Sequence, residues 1–179
     1  MKILSFPASN SRHSINRQLL NYAERFLTEF DIEHLDINDY EMPIYSEDRE
    51  KESGIPDKAK AFLSKIAEAD ALLISFAEHN GNYAAAFKNL FDRCSRANRE
   101  IYGNKNIAML STSVGSGGAS NVLALAEQSE QFFAGKVVAK MSVPSFHDNF
   151  DVEQGQLNNS ELASSLEEVI AQFKASLGA

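Results

Sequence analysis

The sequence predicts an open α/β domain: a five-stranded parallel sheet of order 2-1-3-4-5, with helices on both faces in three layers. Three observations carry this. Short apolar runs of strand length alternate with segments whose apolar residues recur at helical spacing. The run Ala71 to Phe76 is apolar at almost every position, as in strands buried on both faces of a parallel sheet. A chain of 179 residues, 44% hydrophobic and 23% charged, suits one globular domain over 1–179 with a sizeable core.

Ile3 to Phe6 is the first strand. Ile15, Leu19, Tyr22, Ala23, Phe26, Leu27 and Phe30 share one helical face, which predicts a helix from about Ser14 to Phe30. Leu35 and Ile37 alternate with polar residues and suggest a half-exposed second strand. A polar loop, 39–54, follows, and Pro56 opens a helix with Ala59, Phe62, Leu63 and Ile66 inward. After the third strand, 71–76, a polar loop at 78–82 leads into a helix carrying Tyr83, Phe87, Leu90, Phe91 and Cys94. Ile107 to Leu110 is the fourth strand, followed by a Gly/Ser loop. Val122, Leu125, Ala126, Phe132 and Phe133 mark the fourth helix, and Val137 to Val143 the fifth strand. The stripe from Leu162 to Leu177 is the last helix. The longest irregular stretches are 39–54 and 144–156, and loops of that length in a compact domain are often functional.

The net charge is −8, with no Lys/Arg cluster, so a nucleic-acid backbone is not an expected partner. No apolar run is long enough to span a bilayer. Cys94, the single cysteine, permits neither an internal disulfide nor a zinc pattern, and no metal is expected. Residues 1–6 run straight into a strand-like segment without an apolar leader, so a cytoplasmic protein is expected. One asymmetry stands out. Residues 1–23 contain no Asp or Glu but do contain Lys2, Arg12, His13 and Arg17.

In a sheet of order 2-1-3-4-5 the switch point lies between strands one and three, and ligands bind outside the carboxyl ends of the strands there. That points to Pro7–Asn16 and Ala77–Tyr83. The first of these segments offers Ser9, Ser11, Ser14, Ile15 and Asn16 just before a helix. Helix starts carry free N–H groups and a partial positive charge, usually complemented by Asp or Glu. Here no acid occurs before Glu24, which leaves the site open to an external anion such as a phosphate. A simple Ser/Asn cap needs only one such residue. G-x-x-x-x-G-K-[ST] and G-x-G-x-x-G are both absent. Hydroxyls and amides without a lysine suit a tightly held monophosphate.

The second segment groups Ala77, Glu78, His79, Asn80, Gly81 and Tyr83. A flavin ring needs donors and acceptors along one edge and a flat wall. Backbone around Asn80-Gly81 is placed to give the edge, and His79 or Tyr83 the wall, though Asn-Gly is also a common plain turn. The loop after strand four, with Thr112, Ser113 and Gly115, lies on the same sheet edge, and its glycines allow close backbone approach.

These residues resemble the NAD(P)H-dependent FMN reductase family, a flavodoxin-like group that includes quinone, azo-dye and chromate reductases. The likeness spans about residues 2–145. Its first motif, Gly-Ser followed by Ser-x-Asn, is matched by Ala8-Ser9 and Ser14-Ile15-Asn16. In the second, Glu78, Asn80, Gly81, Lys88, Asn89 and Asp92 match without a gap. Met42-Pro43-Ile44-Tyr45 is similar to the family's Leu-Pro-x-Tyr loop over the site. The departures are Ala8 for glycine, Ser11 at the arginine position with Arg12 next to it, His79 for tyrosine, Ala84-Ala85 for Pro-Gly, and Arg93 for tryptophan.

The resemblance implies bound FMN, with NADPH or NADH as co-substrate. Hydride passes from the nicotinamide to the flavin, then to a small acceptor such as a quinone, azo compound or free flavin. It implies a homodimer or homotetramer through the third helix, where Lys88 and Asp92 are either a solvated i, i+4 pair or an interfacial one. No acid–base residue is nominated. The competing reading is a non-enzymatic electron carrier of flavodoxin type with a protein partner. A Ser/His hydrolase has no G-x-S-x-G elbow in its favour. Cys94 reads as a buried filler.

Overall fold

The computed structural model describes residues 1–178. Its main sheet consists of β1 (Lys2–Ala8), β2 (Asp31–His34), β3 (Ala71–Phe76), β6 (Asn106–Thr112) and β7 (Lys136–Val143). All are parallel, in the spatial order β2-β1-β3-β6-β7, which is the predicted 2-1-3-4-5. Two short antiparallel hairpins lie outside it: β4 (Glu78–His79) with β5 (Asn82–Tyr83), and β8 (Phe150–Asp151) with β9 (Gln156–Leu157).

Strand alternation divides the core in two. Leu4, Phe6, Leu72, Ile74, Phe76 and Met109 face one side. There α3 (Asp57–Glu68), α4 (Ala85–Ala97) and α5 (Ser120–Glu130) bury Phe62, Ile66, Phe87, Leu90 and Val122 against them. Ile3, Leu73, Ala108 and Leu110 face the other side. There α1 (Ile15–Ala23) and α7 (Ser160–Ser176) add Leu19, Leu20, Leu166, Ile170 and Phe173. Each fully buried Leu or Phe contributes about 2 kcal/mol through burial. Cys94 is buried in the first layer, and desolvation pushes its thiol up to about 12, so it is an inert filler.

The structure corrects several boundaries. The first helix stops at Ala23, followed by a 3-10 turn over Glu24–Phe26. Leu27 is still fully buried, and Phe26 and Phe30 still pack on the same core. The apolar stripe therefore outlasts the helix. The second strand is Asp31–His34, not the stretch around Leu35 and Ile37. Leu35 continues the ladder only by donating its N–H to Ser5 O at 3.0 Å, and Ile37 opens a 3-10 turn. The loop 39–54 contains a short helix, α2 (Glu47–Ser53), with no buried residue. The stretch 144–156 contains the one-turn α6 (Phe146–Asn149) and most of the second hairpin.

Candidate functional site

The carboxyl ends of β1, β3 and β6 open into one cleft of about 350 Å³. The loop after β1 contributes Ser9, Ser11, His13, Ser14, Ile15 and Asn16. The start of the first hairpin contributes Ala77, Glu78 and His79, and the end of β6 contributes Thr112, Ser113 and Val114. The cleft sits at the predicted switch point.

The first wall is built by hydroxyls. Ser9 Oγ accepts from Ser11 N at 3.2 Å, and Ser11 Oγ accepts from His13 N at 3.3 Å. Ser14 caps α1, its Oγ accepting from Arg17 N at 3.3 Å. The first turn of α1 has no acidic residue, as the sequence indicates. Ala8, where the family has glycine, is simply the last residue of β1, paired with Phe76 and 1% exposed. Alanine needs no unusual backbone there.

The basic residues of the acid-free stretch do not all serve this wall. Lys2 lies at the opposite end of β1 and pairs with Glu33 at 2.7 Å. Arg17 turns toward β2, donating to Leu35 O at 2.6 Å, and burial lowers its pKa. Arg12 is exposed outside the lining, while His13 is inside it. With Lys and Arg absent from the lining, the positive field at this wall comes from the helix start.

Asn16 is 2% exposed and spends its carboxamide inside the protein. Its Oδ1 accepts from Ser75 Oγ at 2.7 Å and from Thr112 N at 3.1 Å. Its Nδ2 donates to Thr112 O at 3.3 Å. It joins α1, β3 and β6 beneath the cleft floor. Glu78 is likewise engaged: Oε2 accepts from Val122 N at 2.9 Å and Oε1 from Asn121 Nδ2 at 3.2 Å.

Asn80, Gly81 and Gly115 do not reach the lining. Asn80 and Gly81, with φ of +53° and +73°, form the exposed tip of the hairpin, the Asn-Gly turn that two left-handed residues favour. Tyr83 packs against Phe76 and Phe87, and its hydroxyl meets Ser129 Oγ at 3.3 Å, so it is not a cleft wall. His79 is exposed and does line the cleft. Gly115 O accepts from Ser145 N at 2.9 Å. The glycine that close packing requires is Gly118, at φ +60°, where a Cβ would lie 2.9 Å from Pro144 N. Sequence reasoning missed His13 and Val114 as lining residues. His13 had a signal, lying between Ser11 and Ser14. Val114, 67% exposed, had none.

Beside the cleft, α4 grips the segment 42–50. Asn89 Oδ1 accepts from Tyr45 N at 2.8 Å, and its Nδ2 donates to Met42 O at 3.1 Å. Arg93, 3% exposed, donates to Pro43 O at 2.9 Å and Ile44 O at 3.2 Å, with Tyr45 under its guanidinium. Arg96 pairs with Glu50 at 3.0 Å, which holds that carboxyl below its usual value. The gripped segment closes a second cavity of about 220 Å³, lined in part by Met42, Ile44, Ala85 and Asn10. Asn10 lies between Ser9 and Ser11, so the two cavities share the loop after β1. Lys88 and Asp92 form an exposed ion pair at 2.8 Å. Among the described residues no helix is long and apolar enough to cross a membrane.

Comparison with known proteins agrees with this architecture. The 2-hydroxy-1,4-benzoquinone reductase of Burkholderia sp is 35% identical over 122 residues, 67% of this chain and 64% of that protein. The NADH-dependent flavin reductase subunit 2 of Lactobacillus johnsonii is 26% identical over 97% of this chain and 95% of its own. Among solved structures, the flavoenzyme NAD(P)H:(acceptor) oxidoreductase of Paracoccus denitrificans superposes with a TM-score of 0.74 at 21% identity, covering 96% of this chain and 94% of that one. The sheet order and helix layers are thus those of flavodoxin-like reductases. The model of the NADPH-dependent FMN reductase family matches residues 1–149. The chain therefore belongs to the NADPH-dependent FMN reductase family, oxidoreductases whose cofactors are FMN and a nicotinamide nucleotide.

Proposed function

We propose that the cleft holds FMN, and that the protein oxidises NADPH or NADH and reduces a small acceptor such as a quinone, azo compound or free flavin. The observation that carries this is the hydroxyl-lined, acid-free start of α1 in the cleft at the switch point. Residues present there fit a phosphate monoester: Ser9, Ser11 and Ser14 supply hydroxyls, the first turn of α1 supplies N–H groups, and His13 supplies a fourth polar side chain. Ala77, His79, Ser113 and Val114 would flank the ring. Bound FMN supplies hydride transfer in both directions. The protein's own part is to fix the phosphate, hold the two ring walls apart and leave one face open to each substrate in turn. None of the residues in the cleft is assigned a proton-transfer role.

Family membership favours an enzyme over a passive carrier, as do the matched Glu78, Asn80, Gly81, Lys88 and Asn89. We extend the proposal to a cytoplasmic homodimer or homotetramer assembled through α4, with the Lys88–Asp92 pair on its exposed face. The test is anaerobic mixing of FMN-loaded protein with NADPH or NADH. Bleaching of the visible flavin band, reversed by a quinone, is expected. A loaded protein that neither nucleotide bleaches would favour the electron-carrier reading.

A further inference from the structure

We infer that Glu78 is a positioning residue: it fixes the spacing between the two cleft walls that flank the ring, by capping α5 from the facing hairpin. This rests on the reading of the cleft as an FMN site.

Helix α5 begins without any cap of its own. Its N-cap residue, Ala119, sits at φ +62° with no side-chain hydrogen bond, and the first turn holds no acid. Helix starts leave several N–H groups unpaired, and those near a buried surface need a partner. Ser120 N finds Gly117 O at 3.0 Å, and Leu123 N finds Ala119 O at 3.3 Å. Val122 N instead finds a carboxylate from another part of the chain, Glu78 Oε2 at 2.9 Å. The other oxygen, Oε1, accepts from Asn121 Nδ2 at 3.2 Å. A carboxylate at a helix N-terminus also gains from the helix dipole, so both parts of the contact are of the strong, charge-assisted kind.

The consequence is geometric. Glu78 stands between Ala77 and His79, which line one wall of the cleft. Its partners on α5 follow directly from the loop that carries Ser113 and Val114, which line the facing wall. The same hairpin is fastened to α5 further along, where Tyr83 Oη meets Ser129 Oγ at 3.3 Å. Tyr83 is half-buried in its aromatic cluster and pairs with Glu78 across the hairpin, so the two contacts together fasten the open end of the hairpin to α5. With its carboxylate committed in this way, Glu78 brings the cleft a spacing rather than a free charge beside the bound group.

Two variants test this. Glu78→Gln is nearly isosteric and keeps one oxygen acceptor while losing the charge. Asn121→Ala removes one of the two contacts from an exposed residue outside the cleft lining. FMN affinity is read by quenching of flavin fluorescence, together with the shape of the visible band of the bound flavin and the Tm of the FMN-free protein. Expected is FMN binding weaker by about tenfold for Glu78→Gln and about threefold for Asn121→Ala, with a broadened band in both. A role confined to capping α5 would lower Tm and leave affinity and band shape at the wild-type values; that result would overturn the proposal. If the wild-type protein itself takes up no FMN, the reading of the cleft falls, and this inference with it.

Discussion

Asn16 and Thr112 exchange hydrogen bonds in both directions: Thr112 N donates to Asn16 Oδ1 at 3.1 Å, and Asn16 Nδ2 donates to Thr112 O at 3.3 Å. With Ser75 Oγ as a third partner, the side chain works like a missing strand residue, tying the start of α1 to β3 and β6. Asn16→Leu strands Ser75 Oγ and both main-chain groups of Thr112 away from water. Buried polar groups left unpaired cost about 1–3 kcal/mol each, so a loss of roughly 3 kcal/mol is expected. Urea denaturation of the apo protein measures it.

Ser14 serves as helix cap and as cleft lining at once. Ser14→Asp separates the two roles. Asp caps helices as well as Ser does, so Tm should hold or rise slightly. A negative charge at the phosphate position should weaken FMN binding by about tenfold or more. Riboflavin, which has no phosphate, should bind the variant and the wild type alike. Parallel fluorescence titrations with the two ligands check this.

Arg93 is a buried cation whose partners are carbonyl oxygens of Pro43 and Ile44 and the ring of Tyr45. Its replacement removes three charge-assisted hydrogen bonds and the packing on Tyr45, leaving Pro43 O with Asn89 Nδ2 at 3.4 Å and Ile44 O with Arg49 Nη1 at 2.6 Å, and so loosens the 42–45 segment on α4. Arg93→Ala is expected to cost about 3 kcal/mol. Protease nicking between Met42 and Arg49 should accelerate, which limited proteolysis with mass detection would show.

Glu130 Oε2 is buried without a hydrogen-bond partner, and desolvation, reinforced by Glu127, raises its pKa above the usual 4.5. The folded state thus holds this proton more tightly than the unfolded chain does. The stability it contributes is fully present below the unfolded value of 4.5 and is lost as pH rises through the higher folded value. Glu130→Gln should raise Tm by about 1–3 °C at neutral pH and leave it unchanged in acid. Thermal melts across that range check the sign.

The sheet was readable because Ala71–Phe76 and Ile107–Leu110 are apolar runs that only a doubly covered strand would carry. Edge strand β2 escaped because its own residues are exposed or half-exposed, while the buried Leu35 and Ile37 lie just beyond it, Leu35 after the strand's end and Ile37 at the start of a 3-10 turn. Helix α2 escaped because, with no inward face, it leaves no apolar period to read. At the cleft, residue type located most of the lining: Ser9, Ser11, Ser14, Ala77, His79, Thr112 and Ser113 all reach it. What residue type could not convey was the work of each side chain. Asn16 and Glu78 stand in the two motifs, yet both are occupied by partners distant in sequence, Thr112 and Val122. Such long-range hydrogen bonds leave no local periodicity. Likewise Arg17 falls within the acid-free stretch but faces Leu35, because its place in the first turn of α1 directs it toward β2.

The most direct test of the cleft is an equilibrium titration of the apo protein with FMN against riboflavin. A phosphate held by Ser9, Ser11, Ser14 and the start of α1 should make FMN bind at least about 100-fold more tightly, the equivalent of about 2.7 kcal/mol from the phosphate alone. Equal affinity for the two, or no binding of either, would contradict the assignment of the cleft as a site for FMN.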